Sequence, residues 1–456
     1  MVATLTLIFA GLVFMIAALR PTWATAVVLL MFPMEQALQA SSGLFRSSGS
    51  LANYLIGSLV LVSLTIAVMR GRLEWRGWLT MTLGITAALY GYAGLSILWT
   101  SSPEWLGEYI RWTSPYVVVS VVLAPLLIGS VRSLAELRIA LLLVGTGIGL
   151  LIIANPNFGL VGGRLVVNVD ADSRTNPLAI GALGGLLTVL AILGPAPESR
   201  RWLLLLRAGA FVTGLGVSFL SGSRGELIAG LIASAVLLPM ARRIKNVGQF
   251  FGTCAVAGVF LIGFVMVRGI FVSDGNEARW TAESLSSGSF GRLENVVDLA
   301  GLYLERPLYW LIGLGSAAFH DLPTRSGDPY SHVLVADLIF ELGLPGIVIG
   351  VSLAYITIRN GRTLFTAFRD DPELRALATM LCALVLFKFI VSNKAGTVWG
   401  AFDLFFGICL LGRVVALYRL EQSEAWAEEE DDIDESAYHV DSDLDSPVME
   451  PVARLH

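Results

Sequence analysis

Charged residues and histidines are both scarce in this chain. Only 15% of its 456 residues are charged, against about 25% in soluble domains. With 55% of residues hydrophobic and a mean hydropathy of +0.72, an ordinary soluble globule is excluded. The three cysteines, Cys254, Cys382 and Cys409, all lie in apolar runs, and none forms a CxxC or other metal-ligand spacing. They read as small buried residues, and a disulfide framework is not expected. Internal repeats are also lacking. The first apolar run, Thr4 to Leu19, has no basic stretch before it and no small-residue cleavage site after it, so it is expected to be a retained helix rather than a signal peptide.

What the chain does have is a series of apolar runs of about 17–21 residues, the length that crosses a bilayer core as helix. The expected fold class is all-α: a polytopic helical membrane protein with 12–13 transmembrane helices and one large outer loop with short helices. The candidate spans are 3–19, 23–38, 52–69, 79–99, 113–130, 135–154, 176–194, 203–221, 225–241, 250–267, 338–358, 374–392 and 399–418. The second holds Pro33 and Glu35, so a re-entrant segment is an alternative there, which sets the lower count. Residues 1–420 form the membrane domain, and 421–456 form an acidic tail containing EEEDDIDE (Glu428 to Glu435), expected to be disordered.

Basic residues set the orientation. Connections holding Arg70, Arg72 and Arg76, then Arg132 and Arg138, then Arg200 and Arg201, then Arg242, Arg243 and Lys245, fall at alternate ends of successive spans. Arg359, Arg362, Arg369 and Arg375 continue the series, and that side, with the tail, is expected to be cytoplasmic. The connections near 100–112, 155–175, 221–224, 268–337 and 393–398 then face outward. The 268–337 loop is long for a compact protein, and its run VVDLAGLYLERPLYWLIGLG predicts short surface helices with a functional role.

Arginines on the outer side run against the positive-inside bias. They include Arg111, Arg164, Arg174, Arg224 and Arg292. For each, a snorkelling or acid-paired surface arginine is the plain explanation. Arg224 stands in FLSGSRGELIAG, where Ser223 and Glu226 have capping-box spacing, which places the arginine in the first helical turn. A cation is disfavoured there by the helix dipole, unless an anion docks at the same helix start. Pairing with Glu226 or another buried acid is the alternative. Lys388 and Asp403, near the outer face, are expected to pair across adjacent helices. Of the four histidines, only His320 and His332 fall on the outer side, so acid–base chemistry near neutral pH would rest on one of them. Ser331 is expected to cap a helix starting at His332, with Leu334, Leu338 and Leu342 on its apolar stripe.

Five stretches in order resemble the O-antigen ligase/polymerase superfamily of bacterial membrane glycosyltransferases. They are LSILWTSSPEW, GGRLVVNVDADSRTNPLAIG, SGSRG, FGRLENVVDLAGLYLERPLYWLIGLGSAAF and YSHVLVADLIFELGLPGIVIG, together spanning about residues 95–350. The resemblance implies a GT-C-type architecture in the bacterial cytoplasmic (inner) membrane. It also implies transfer of a glycan from an undecaprenyl-diphosphate carrier to an acceptor hydroxyl on the outer face. The family's essential groups carry over to Arg224, Arg292 and His332, with Arg164 or Arg174 a further basic partner and Arg111 a candidate for substrate binding. The family usually has asparagine after the histidine, where this chain has Val333.

By this resemblance the transfer is metal-independent and inverting, and no cofactor is expected. Partners would be the lipid-linked glycan, a glycan, lipid or protein acceptor, and membrane lipids, with no nucleic acid. A transporter or flippase of lipid-linked or anionic substrates is the alternative, since outer arginines also bind anions without chemistry. A third reading is a scaffold whose acidic tail recruits a cytosolic partner.

Overall fold

The computed structural model describes residues 1–161, 163–168, 176–195, 201–242, 246–249, 251–252, 254–255, 258, 282–305, 307–321 and 331–442. Apart from one two-stranded hairpin, the regular structure of these residues is helical. Nine helices among the described residues are long and apolar enough to cross a membrane. The Val2–Leu19 helix shows the expected surface. It buries Thr6, Ala10, Val13 and Ala17, a stripe at three- and four-residue spacing, while Leu5, Ile8, Leu12 and Met15 are exposed. In water that would solvate an apolar helix face, whereas hydrocarbon is the natural solvent for it. The chain is an all-α polytopic membrane protein.

The difference from twelve or thirteen expected spans has identifiable causes. Pro177–Leu193 is apolar but only 17 residues long. The Phe402–Ser442 helix mixes Asp403, Arg413 and Arg419 into its apolar part. The 250–267 run lies largely outside the described residues. The expected span 23–38 is a broken pair, Pro21–Leu29 and Met31–Ser41, jointed at Leu30. Pro33 has no N–H to offer the carbonyl of Leu29, which favours a joint there. The pair is not re-entrant. It starts beside the helix Ser133–Ala154, where Arg20 pairs with Glu136 at 3.4 Å, and ends beside that helix's other terminus, where Asn155 donates to Ser41 Oγ at 3.1 Å.

Three further expectations change. The acidic run is not irregular chain: the final helix continues through it to Ser442, as good helix formers such as Glu and Ala allow. The outer loop holds one long helix, Ala282–Glu305, as well as the short Pro307–Ile312. The connection after Ser133–Ala154 forms an antiparallel hairpin, Phe158–Val161 with Arg164–Val167. Its β-branched and apolar residues were visible in the sequence.

The basic connections gather at one end. Arg70 donates to the Leu19 carbonyl at 3.3 Å, and the buried Arg413 donates to the carbonyls of Glu74 and Arg76. Arg207 donates to the carbonyls of Ala191 and Pro195, both at 2.8 Å, and Arg242 to that of Ile192 at 3.1 Å. Arginines here satisfy the orphan carbonyls at the end of the Pro177 helix, which the helix dipole also favours.

Small residues then set how closely that helix meets its neighbours. A Cβ on Gly184 would lie 2.5 Å from the Gly214 carbonyl of the Arg201–Leu220 helix. A Cβ on Gly185 would lie 2.7 Å from the Glu226 carbonyl of the Arg224–Arg242 helix and 2.6 Å from the Phe387 ring. Close backbone approach of this kind is a main source of helix association in lipid. Gly185→Ala is therefore expected to cost about 1–3 kcal/mol by overpacking. Thermal unfolding in detergent would show it as a lowered midpoint, and an unchanged midpoint would contradict this packing.

Candidate functional site

At the end away from the basic connections, the Arg224 helix begins at the expected residue. Gly222 takes the left-handed conformation (φ 65°) in the turn before it, and the Ser223 N–H donates to Ser221 Oγ at 3.2 Å. The expected capping box takes another form. The Ser223 hydroxyl donates to the Pro177 carbonyl at 3.3 Å, and Glu226, fully buried, accepts a hydrogen bond from Lys394 Nζ at 2.5 Å. The lysine stem crosses Gly225 so closely that a Cβ there would lie 2.3 Å from Lys394 Cδ. Burial explains the exchange: a carboxylate away from water recruits a full charge in preference to a backbone N–H. Glu226, one of the acids raised as a partner for Arg224, is hydrogen-bonded to Lys394.

Lys394 stands near the end of the Pro372–Ala395 helix, and the residue before it faces another partner. Asn393 Oδ1 accepts the N–H of Val335 at 3.0 Å. One helix end therefore holds the Arg224 segment through Lys394 and the His332 segment through Asn393. The helix after His332 starts at Leu334, not at His332 as expected. His332 itself is left-handed (φ 63°), so no helix can include it, and Ser331 caps differently. Its hydroxyl accepts the Val333 N–H at 3.1 Å and donates to the Asp337 carboxylate. The expected apolar stripe is present, with Leu334 and Leu342 buried and Leu338 half-buried.

A second clamp ties three of the quoted stretches together. Leu314 and Gly315 donate their N–H groups to the carbonyls of Phe340 and Glu341 at 2.9 and 2.8 Å. The Glu341 carboxylate accepts the N–H of Ala317 at 3.1 Å and of Phe319 at 3.4 Å. From the other side, Ser96 Oγ accepts the Ser316 N–H at 2.8 Å, and the Thr100 hydroxyl donates to the Ser316 carbonyl at 2.8 Å. Gly315 (φ 93°) is required twice over, since a Cβ would also meet Thr100 Cβ at 2.5 Å. His320 is packed within this clamp, its ring 4.0 Å from that of Trp105.

Burial raises the pKa of both acids of this segment. Asp337 is pushed up to about 7 by desolvation, against the opposing hydrogen bonds from Ser331 and the Val398 backbone. Glu341 is raised by desolvation and by the charge of Asp337, against its two backbone N–H bonds.

The remaining candidates are less closely joined. Arg164 is exposed on the hairpin, opposite Val161. Arg111 is exposed, its guanidinium 5.9 Å from the ring centre of its neighbour Trp112. Arg292 belongs to the Ala282–Glu305 helix, and its side chain lies outside the described residues, as does Arg174 entirely. Asp170 and Asp172 form an Asp-x-Asp spacing in the same undescribed stretch, a cation-binding pattern that the expectation of metal independence passed over. Lys388 and Asp403 do pair, at 2.6 Å. Sequence reasoning also passed over Lys394 and Asn393. Lys394 lies in the 393–398 connection that was expected to face outward, where the bias that singled out the arginines applies equally.

No protein-family model and no curated protein matches this chain.

Two outcomes test this geometry. Lys394→Ala strands a buried carboxylate and should cost about 3–5 kcal/mol. Adding Glu226→Gln should recover part of that loss in a thermal-unfolding cycle, and additive losses would mean the two residues are not coupled. The raised acids bind protons in the folded protein that the unfolded chain has released. Their stabilising protonation is therefore complete below the ordinary carboxylate range and lost as pH rises to about 7 and beyond. Hydrogen exchange of 331–342, corrected for intrinsic rates, should show easier opening at pH 8 than at pH 5. Asp337→Asn should flatten that dependence, and equal protection at both pH values in the wild type would contradict it.

Proposed function

We propose that this protein is a membrane glycosyltransferase of the O-antigen ligase/polymerase type. It moves a glycan from an undecaprenyl-diphosphate carrier to an acceptor hydroxyl. The observation that carries the reading is the Asn393–Lys394 helix end, which holds the turns bearing Arg224 and His332 although the two are far apart in sequence. These turns lie opposite the arginine-rich connections, and the positive-inside rule supports reading them as outward-facing.

The roles follow from charge. The acceptor oxygen attacks the anomeric carbon, the bond from that carbon to the diphosphate oxygen breaks, and the electron pair leaves with the diphosphate. His332, neutral, takes the hydroxyl proton, a general-base contribution of about 10²–10⁴-fold. Arg224 and Arg292 meet the charge growing on the leaving diphosphate, as preorganised donors do best in a low-dielectric site, and the planar guanidinium fork suits two phosphate oxygens at once. Direct displacement inverts the anomeric centre. The family's asparagine is absent at Val333, but Asn393 brings a side-chain amide to the same turn from a different helix.

His332→Ala should abolish transfer from a purified polyprenyl-diphosphate glycan while donor binding persists. Arg224→Lys should also be poor, because a point charge does not replace the fork. Full transfer by the His332→Ala protein would end the general-base role, and an active Arg224→Ala protein would remove the phosphate from that helix start.

A further inference from the structure

A cavity of about 150 Å³ lies beneath the Asn393–Lys394 helix end. One wall is the joint between the broken helices, including Leu30, Phe32 and Pro33, and another is the first turns of the Pro177 helix. Asn176, Glu226, Lys388, Ser392 and Asp403 are the cavity's polar residues. Glu226 is fully buried, and its Oε1 accepts no hydrogen bond among the described residues.

The charges among and behind these residues select the ligand. Glu226 is neutralised by Lys394 and Asp403 by Lys388, so the two pairs together carry no net charge. An anion entering the cavity would meet the Asp403 carboxylate and a cation the Lys388 ammonium group. What fits is an uncharged molecule that donates hydrogen bonds to the Asp403 carboxylate and lays a C–H face on the half-buried Phe32. Water satisfies the first requirement but gains nothing from the apolar wall. A sugar ring satisfies both, with hydroxyls at its edge and C–H groups on its face.

We propose that this cavity is a sugar subsite that takes one uncharged pyranose ring of the lipid-linked glycan. The assignment to that glycan rests on the glycosyl-transfer reading. The ring enters beside Asp403, whose side chain is 26% exposed while those of Lys388 and Glu226 are closed off at 8% and 0%.

The test uses the full-length protein in nanodiscs with D-glucose, D-galactose, N-acetyl-D-glucosamine and L-rhamnose, each alone and read by saturation-transfer NMR. At least one should bind. Ala182→Leu, which adds carbon to the cavity wall and leaves both ion pairs in place, should weaken that binding about tenfold or more. Asp403→Asn, which keeps the volume and removes a charged acceptor, should weaken it as well. Melting temperature and elution volume check that both variants are folded.

No binding of any of the four up to its solubility limit overturns the subsite and leaves a water-filled cavity. Binding that is untouched in both folded variants overturns it too, since the sugar then sits elsewhere. Glycan transfer by the wild-type protein is measured alongside. Transfer without monosaccharide binding removes the subsite alone, whereas cavity-dependent binding without transfer keeps the subsite and removes the reaction.

Discussion

A carboxylate fully buried at the start of a helix is the constraint from which the end away from the basic connections is organised. Glu226 is paired with Lys394, a residue of another helix, and the pairing dictates much around it. Residue 225 is a glycine, and the lysine stem lies directly across it. The Pro372 helix must extend far enough to present Lys394, and in doing so it presents Asn393 to the turn after His332. A buried ion pair contributes little net stability compared with apolar packing, yet removing one partner is costly. Its effect is positional: it fixes which helix end meets which loop, and so which charged groups share a site.

The two ends of the bundle use charge differently. At the basic end, Arg207, Arg242 and Arg413 are consumed by backbone carbonyls that lipid cannot solvate. At the other end the backbone is irregular, and left-handed residues accumulate there: Gly313, Gly315, Ala317, His332 and Gly343. Non-helical backbone near a membrane needs internal partners, and Ser96, Thr100, Ser331 and Glu341 provide them. Local strain tends to collect where a structure binds or reacts. Three of the five quoted stretches interlock at this end through the Glu341 clamp.

Much of this was legible from local rules. Apolar length gave most of the helices, the basic series gave one shared end, and Lys388 with Asp403 gave an ion pair. Where local rules failed, a tertiary contact had displaced them. Ser223 and Glu226 have cap spacing, but a lysine 168 residues away took the glutamate. Ser331 precedes an apolar run, yet the left-handed His332 delays the helix to Leu334. Pro33 marked a break in the second span but could not say that the pair still runs the length of its neighbour. Lys394 carried the same charge signal as the singled-out arginines, but what it and Asn393 do lies in the two distant segments they join.

The most direct measurement is the reaction of the unmodified protein. Purified in nanodiscs with a polyprenyl-diphosphate-linked glycan and a hydroxyl acceptor, and with chelator present, it should release polyprenyl diphosphate and form a glycoside whose anomeric configuration is opposite to the donor's. Movement of the intact lipid-linked glycan across the bilayer with no new glycosidic bond would contradict the account.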